Sequence, residues 1–218
     1  MKNALEAFLD QWPAVLVKDS DLRRGLESSN QARYGLVKRA LKAGRMVRLR
    51  RGLYVLADRL KFQHPDPYEF ATILYHPAVI SVEAALSHHG WIPEAVRVVT
   101  CVTSRSSKKF DTPLGFFSFE HVPAKKFYMG VNRIETATGA IFMADPWRAV
   151  ADLIYIYKKD WPTLEDLDAD MRIDEYDIVA SDIGLLEQLC REYPSQRVCR
   201  VLKRFLKEIK RRKKEFLG

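Results

Sequence analysis

The chain has 218 residues, 47% of them hydrophobic and 29% charged, and no apolar run approaches the ~18 residues of a membrane span. That balance argues against disorder and against a membrane-spanning protein, and the length suits one or two domains. The formal net charge of +8 is unevenly spread: residues 1–61 hold fourteen Lys/Arg against six Asp/Glu, residues 195–218 hold ten against two, and residues 62–194 hold twelve against twenty.

Two basic ends therefore flank an acidic centre. Basic segments attract phosphate backbones without reading sequence. Solvated helix faces have the same composition, so shape must decide between the two readings. The opening Met1-Lys2-Asn3-Ala4-Leu5-Glu6 has no apolar leader, which sets the expectation of a cytoplasmic protein. Cys101, Cys190 and Cys199 are odd in number and lack CxxC spacing, so they read as buried thiols rather than a disulfide framework or a zinc site.

In chain order, Leu5, Phe8, Leu9 and Trp12 recur at i, i+3, i+4 and i+7 and predict a first helix ending near Pro13. Asp19 and Ser20 suit the N-cap of a short second helix carrying Leu22 and Leu26. Ser28-Ser29-Asn30 makes a polar turn and a further cap, and a third helix is expected from about Gln31 to Ala43, stopped by Gly44. Three short helices with a tight polar turn before the third form a helix–turn–helix layout. In the third helix, Val37, Ala40 and Leu41 should face the core, while Gln31, Gly35, Lys38, Arg39 and Lys42 fall opposite and Tyr34 lies at a flank. Gly35 costs about 1 kcal/mol of helix stability relative to Ala, but it lets the backbone approach a groove closely. Residues at the start of a recognition helix touch base edges, so Ser29, Asn30, Gln31 and Tyr34 are the expected readers. Lys38, Arg39 and Lys42 are the expected phosphate contacts.

After Gly44 the period changes to β. Met46-Val47-Arg48-Leu49 and Leu53-Tyr54-Val55-Leu56 flank Arg50-Arg51-Gly52 and predict a hairpin with a charged tip. Arg50 and Arg51 at the tip, with Arg48 alongside, suit a wing entering a narrow minor groove; the plainer alternative is an ordinary exposed hairpin.

Beyond residue 61 the pattern is mixed. Asp66-Pro67-Tyr68-Glu69 opens a helix, Ser81 caps another that Gly90 stops, and strands are expected at Val96–Val102, Phe116–Val122 and Ile141–Met143. Asp145-Pro146 opens a helix with Ala149, Val150, Leu153 and Ile154 inside, and helices dominate from there. Without clean βαβ repetition the fold class is α+β: a winged helix–turn–helix at 1–61, then a larger mixed domain at 62–218. The last segment, Gln196 to Phe216, is an amphipathic basic helix, with Val198, Val201, Leu202, Phe205, Leu206 and Ile209 on one face. It could present charge to DNA, meet an acidic or RNA-bound partner, or be a solvated helix end whose cations suit the dipole.

Enzyme signatures are weak. His88-His89 point about 100° apart on a helix and make a poor chelate. The five histidines (64, 76, 88, 89, 121) form no HExxH pattern, and no P-loop or GxGxxG is present. Asp168-Ala169-Asp170 lacks the Gly-Ser of a nucleotidyltransferase, and Glu208-Ile209-Lys210 reads as ion-pair decoration of a helix. No catalytic, metal or cofactor site is expected.

The run RLRRGLYVLADRLKFQHPDPYEFATILYHPAVISVEAALSHHGWIPE (48–94), VVTCVTSRSSKKFDTPLGFFSFEHV (98–122) and ADPWRAVADLIY (144–155) is similar to the AbiEi family of antitoxins from type IV toxin–antitoxin systems. The likeness covers about residues 20–160 as a whole-length pattern: a wing, a Ser-x-x-x-Ala-Leu-x-x-x-Gly helix, a strand ending in Thr, a Gly-aromatic strand pair, and an alanine- and aspartate-containing helix. In the family that last helix often begins Pro-Glu-Lys-Ala. Here it reads Pro146-Trp147-Arg148-Ala149, a change expected to bear on the partner more than on the fold. The resemblance implies a winged domain that binds and represses its own promoter, and a C-terminal domain that opposes a nucleotidyltransferase-like toxin without a stable complex. The alternative is a plain transcriptional regulator whose C-terminal domain senses a ligand or mediates assembly.

Overall fold

The computed structural model describes residues 3–63, 66–136 and 139–217. Met1, Lys2 and His64, weighed above, lie outside them. The chain divides into two compact units: Met1–Pro67 with Phe110–Gly115, and Tyr68–Lys109 with Phe116–Gly218.

In the first unit, α1 (Ala4–Gln11) opens on a capping box: the Glu6 amide donates to Asn3 Oδ1 at 3.0 Å, and the Asn3 amide donates to Glu6 Oε2 at 2.9 Å. Leu5 and Leu9 enter the core, with Phe8 and Trp12 packed beside them. A short strand not anticipated from sequence, β1 (Leu16–Lys18), follows. The second helix, α2 (Asp19–Gly25), begins at Asp19 rather than being capped by it. Lys18 holds the cap position, and its amide donates to Asp21 Oδ2 at 2.9 Å. Gly25 sits where a Cβ would come within 2.1 Å of the Phe8 ring, so only glycine lets α1 and α2 pack this closely. Next comes α3 (Asn30–Lys42), with Ser29 as its N-cap accepting from the Ala32 amide at 3.2 Å. The hairpin is β2 (Met46–Arg50) and β3 (Leu53–Leu56), joined by Arg51-Gly52. Gly52 has φ +74, a left-handed conformation that glycine adopts without a Cβ penalty. β1 adds to β3 in antiparallel pairing, giving a three-stranded sheet of order β1-β3-β2.

No linker follows β3; α4 (Ala57–Gln63) continues directly. Arg59 Nη2 donates to the Trp12 carbonyl at 2.6 Å and holds α4 onto the first unit, which accordingly runs to Pro67 rather than ending at residue 61.

The remaining elements are α5 (Pro67–Leu74), β4 (Val79–Ile80), α6 (Val82–His88), β5 (Val98–Thr103), β6 (Lys108–Thr112), β7 (Gly115–His121), β8 (Val131–Thr136), β9 (Gly139–Ala144), α7 (Pro146–Tyr157), α8 (Leu164–Met171), α9 (Glu175–Ala180), α10 (Ile183–Glu192) and α11 (Gln196–Leu217). The strands form a mixed six-stranded sheet of order β6-β7-β5-β4-β9-β8. β5 runs parallel to β7, and β4 parallel to β9, while β4–β5 and β8–β9 are antiparallel. The fold class is α+β. Asp145 caps α7 through its Oδ1, which accepts from the Trp147 amide at 3.0 Å, with Pro146 at the first helical position. Every residue from Trp147 to Ile154 is buried, so the first two turns of this helix are enclosed on all sides. Among the described residues no helix is long and apolar enough to cross a membrane.

Candidate nucleic-acid interface

All ten residues expected to meet DNA are solvent-exposed: Ser29, Asn30, Gln31, Tyr34, Lys38, Arg39, Lys42, Arg48, Arg50 and Arg51. The inward side of α3 is Arg33, Val37 and Ala40. At 100° per residue, Gln31, Gly35, Lys38 and Lys42 point away from that side, and Asn30 and Tyr34 lie at one flank with Arg39 at the other. A groove of about 510 Å³ runs between α3 and the hairpin. Asn30, Tyr34 and Val37 line it from the helix, and Arg48, Arg51, Gly52 and Tyr54 from the ribbon. The helix α3 and the β2–β3 hairpin thus lie side by side. Tyr34 is 66% exposed and is no part of the core. Nothing but the end of the Arg39 side chain comes within 4 Å of a Cβ placed on Gly35, so the helix backbone is open to close approach there.

The charges on this surface are uncommitted. Arg23, Arg24, Arg33 and Arg45 each pair with a carboxylate. Among the described residues, Lys38, Arg39, Lys42, Arg48, Arg50 and Arg51 form no such ion pair. Arg48 instead lies 5.9 Å from the centre of the Tyr54 ring, and Arg50 Nη1 donates to the Arg51 carbonyl at 3.2 Å. Both contacts steady the arginines while leaving their charge available.

Two expected readers have part of their chemistry engaged. Ser29 Oγ accepts a helix amide as the N-cap, so outward it offers a hydroxyl hydrogen. Asn30 Oδ1 accepts from Arg33 Nη2 at 2.7 Å, which leaves its amide NH₂ to donate. Both therefore suit phosphate oxygens or acceptor atoms on base edges rather than donors.

Arg33 is the residue the sequence reading missed. It is 6% exposed, and its Nε lies 3.7 Å from Asp19 Oδ1. Asp19 also accepts from Arg23 Nε at 2.9 Å, and its amide donates to the Gly52 carbonyl at 2.9 Å. Arg33 and Asp19 thus tie the start of α3, the start of α2 and the hairpin tip into one polar bracket. The carboxylate facing the groove is neutralised by two arginines. The signal was present: Arg33, Val37 and Ala40 recur at i, i+4 and i+7, the spacing of one helix face.

The second unit has its own buried polar centre. Asp152, fully buried, accepts from Ser81 Oγ at 2.7 Å, Tyr193 OH at 2.8 Å and Arg148 Nε at 2.9 Å. Arg148 Nη1 donates to the carbonyls of Phe127 and Met129 at 2.9 and 2.7 Å. Burial pushes the Tyr193 phenol well above its usual range, so it is a permanent donor to Asp152. Ser81 and Asp152, which help carry the resemblance noted above, are partners in this network. Next to Ser81, the buried Val82 adopts φ +56, a strained backbone costing on the order of 1–3 kcal/mol that the surrounding packing sustains. Trp147 and Arg148 are 1% and 2% exposed, so the expectation that they bear on a partner is corrected: they complete the core. His89 Nε2 is hydrogen-bonded to the Ala144 carbonyl at 2.9 Å, and the His88 ring packs edge-on against Tyr68.

No family model matches the chain, and no curated protein matches it.

Proposed function

We propose that the first unit is a winged helix–turn–helix that binds duplex DNA at the chain's own promoter and represses it. The observation that carries this reading is the shared groove: an exposed helix stripe and an arginine-bearing ribbon on one surface, with six cations that pair with no carboxylate among the described residues. On this reading Gln31, Tyr34 and the donor groups of Ser29 and Asn30 meet bases. Lys38, Arg39 and Lys42 meet phosphates, and Arg48, Arg50 and Arg51 enter or straddle a minor groove. The Arg33–Asp19 bracket fixes the angle between helix and wing, so both can engage without reordering.

The second half of the proposal, opposition to a nucleotidyltransferase-like toxin, is supported by the family resemblance of about residues 20–160. A plain regulator shares the same DNA surface, so the two halves are tested separately. Footprinting on the DNA directly upstream of this gene should show a protected segment, and binding no tighter there than on scrambled duplex would contradict the repressor reading. Co-expression of the full chain with a toxin encoded beside it should restore growth. Continued arrest with folded protein present would remove the antitoxin role while leaving the DNA role intact.

A further inference from the structure

We infer that the second unit associates with a second copy of this chain through its edge strand β8, the two strands pairing antiparallel about Ile134. The six-stranded sheet ends on β6 at one side and on β8 at the other. From Phe110 onward β6 is grouped with the first unit, whereas β8 lies wholly in the second. Among the described residues β8 pairs with β9 alone, from Val131 to Thr136. Its other side presents a row of backbone N–H and C=O groups, a template for one more strand. The side chains of Asn132, Arg133 and Glu135 are exposed along that edge.

The side chains decide what that strand is. Charges of a single sign along an edge repel a copy of the same strand in every register. β8 lacks this guard: Arg133 and Glu135 have opposite signs and, two residues apart, share one face. Residues directly opposite in an antiparallel pair also share a face, so two β8 strands related by a two-fold axis are centred on a residue. Centring on Arg133 sets arginine against arginine, and centring on Glu135 sets glutamate against glutamate; both repel. Centring on Ile134 sets Arg133 of each copy opposite Glu135 of the other, twice by symmetry, with Asn132 opposite Thr136. The charges of β8 thus complement a second β8 in one register.

Within one copy Arg133 and Glu135 already pair with each other, but they remain 59% and 67% exposed, so that pair contributes little and is exchanged at little cost. Ile134 is half-buried and lies opposite the buried Ile141, at the rim of the apolar layer. A second Ile134 beside it extends that layer and takes the rim out of water. On the charged face Phe142 lies opposite Arg133, and the half-exposed Tyr128 packs on Phe142 with 5.8 Å between ring centres, an aromatic anchor beside the edge. Contact of one strand with one strand is small, so the dimer is a weak and reversible one. None of these residues lies in the first unit, so association and DNA binding are separable.

Sedimentation velocity of the full chain at rising protein concentration tests the pairing. The parent should pass from monomer to dimer across the micromolar range. Arg133→Glu and Glu135→Arg should each weaken the dimer about tenfold or more, because each turns both cross-strand pairs repulsive. Arg133→Glu/Glu135→Arg should regain the parent dimer. The two single variants mixed in equal amounts should form a heterodimer, since each copy then meets the opposite charge, and that recovery shows both to be folded. A chain that stays monomeric at every concentration overturns the inference. So does a dimer that neither single variant weakens, and so do single variants that lose the dimer and fail to regain it when mixed.

Discussion

Replacing Arg33 by Met tests whether the bracket, rather than the exposed cations alone, makes the first unit competent. Met retains much of the aliphatic stem, so most of the buried volume of Arg33, 6% exposed, is kept. What is lost is the 2.7 Å charge-assisted bond to Asn30 Oδ1 and the 3.7 Å pairing with Asp19. The first contributes about 1.5–3 kcal/mol. The second is screened, since Asp19 keeps 34% of its side chain in solvent, and adds about 0–1 kcal/mol. The expected loss is about 2–3 kcal/mol. For a unit of this size each kcal/mol moves the melting temperature by about 4–8 °C, giving a fall on the order of 10–20 °C. Hydrogen exchange followed by mass spectrometry resolves this by segment: peptides covering α3 and the β2–β3 hairpin should exchange faster, and those of α7 and α10 should not. Operator affinity should fall with them although no exposed cation has changed. Unaltered exchange in α3 and the hairpin, or a loss below about 0.5 kcal/mol, would refute the bracket.

Gln31→Ala should weaken binding by about 1–3 kcal/mol, concentrated at one base pair, as read by competition with single-substitution operators. Asp152→Ala should cost the second unit about 3–5 kcal/mol in denaturant unfolding, because it leaves Arg148 buried without its carboxylate and orphans Ser81 and Tyr193. Burial raises the Glu83 pKa above its usual 4.5, while Tyr157 and Lys159 pull the other way. The folded state therefore holds the Glu83 proton more tightly than the unfolded chain, and stability drops as pH climbs from about 4.5 through the raised value. Glu83→Gln should match the parent below pH 4.5 and exceed it increasingly above, as followed by urea midpoints across pH.

The elements legible in the sequence are those with strong local signals. The α1 spacing, a cap within Ser28-Ser29-Asn30 (Ser29, with α3 starting one residue earlier than expected), the α3 stripe and a turn at the end of Arg50-Arg51-Gly52 are all found, because caps, a left-handed glycine and helical periodicity act within a few residues. β1 was not legible. Three residues carry no period of their own, and Leu16–Lys18 become a strand only because β3 offers an open edge. β6 and β8 were missed for a related reason: Lys108–Thr112 and Val131–Thr136 are polar or mixed, and their register is dictated by sheet neighbours. At the site, exposure followed from helical spacing, but Arg33 was hidden by the assumption that a charged residue in a basic helix faces solvent. The same assumption concealed Arg148, whose place in the core depends on Asp152 one turn later and on two carbonyls far away in sequence.

The central claim is that the α3 stripe and the wing engage DNA as one surface. The most direct measurement is the salt dependence of binding to the upstream DNA for the parent chain and for Arg50→Ala/Arg51→Ala. Loss of both wing contacts should lower the log–log slope by about 1.8 and weaken binding to every sequence alike. A double variant with the parent slope would contradict the account.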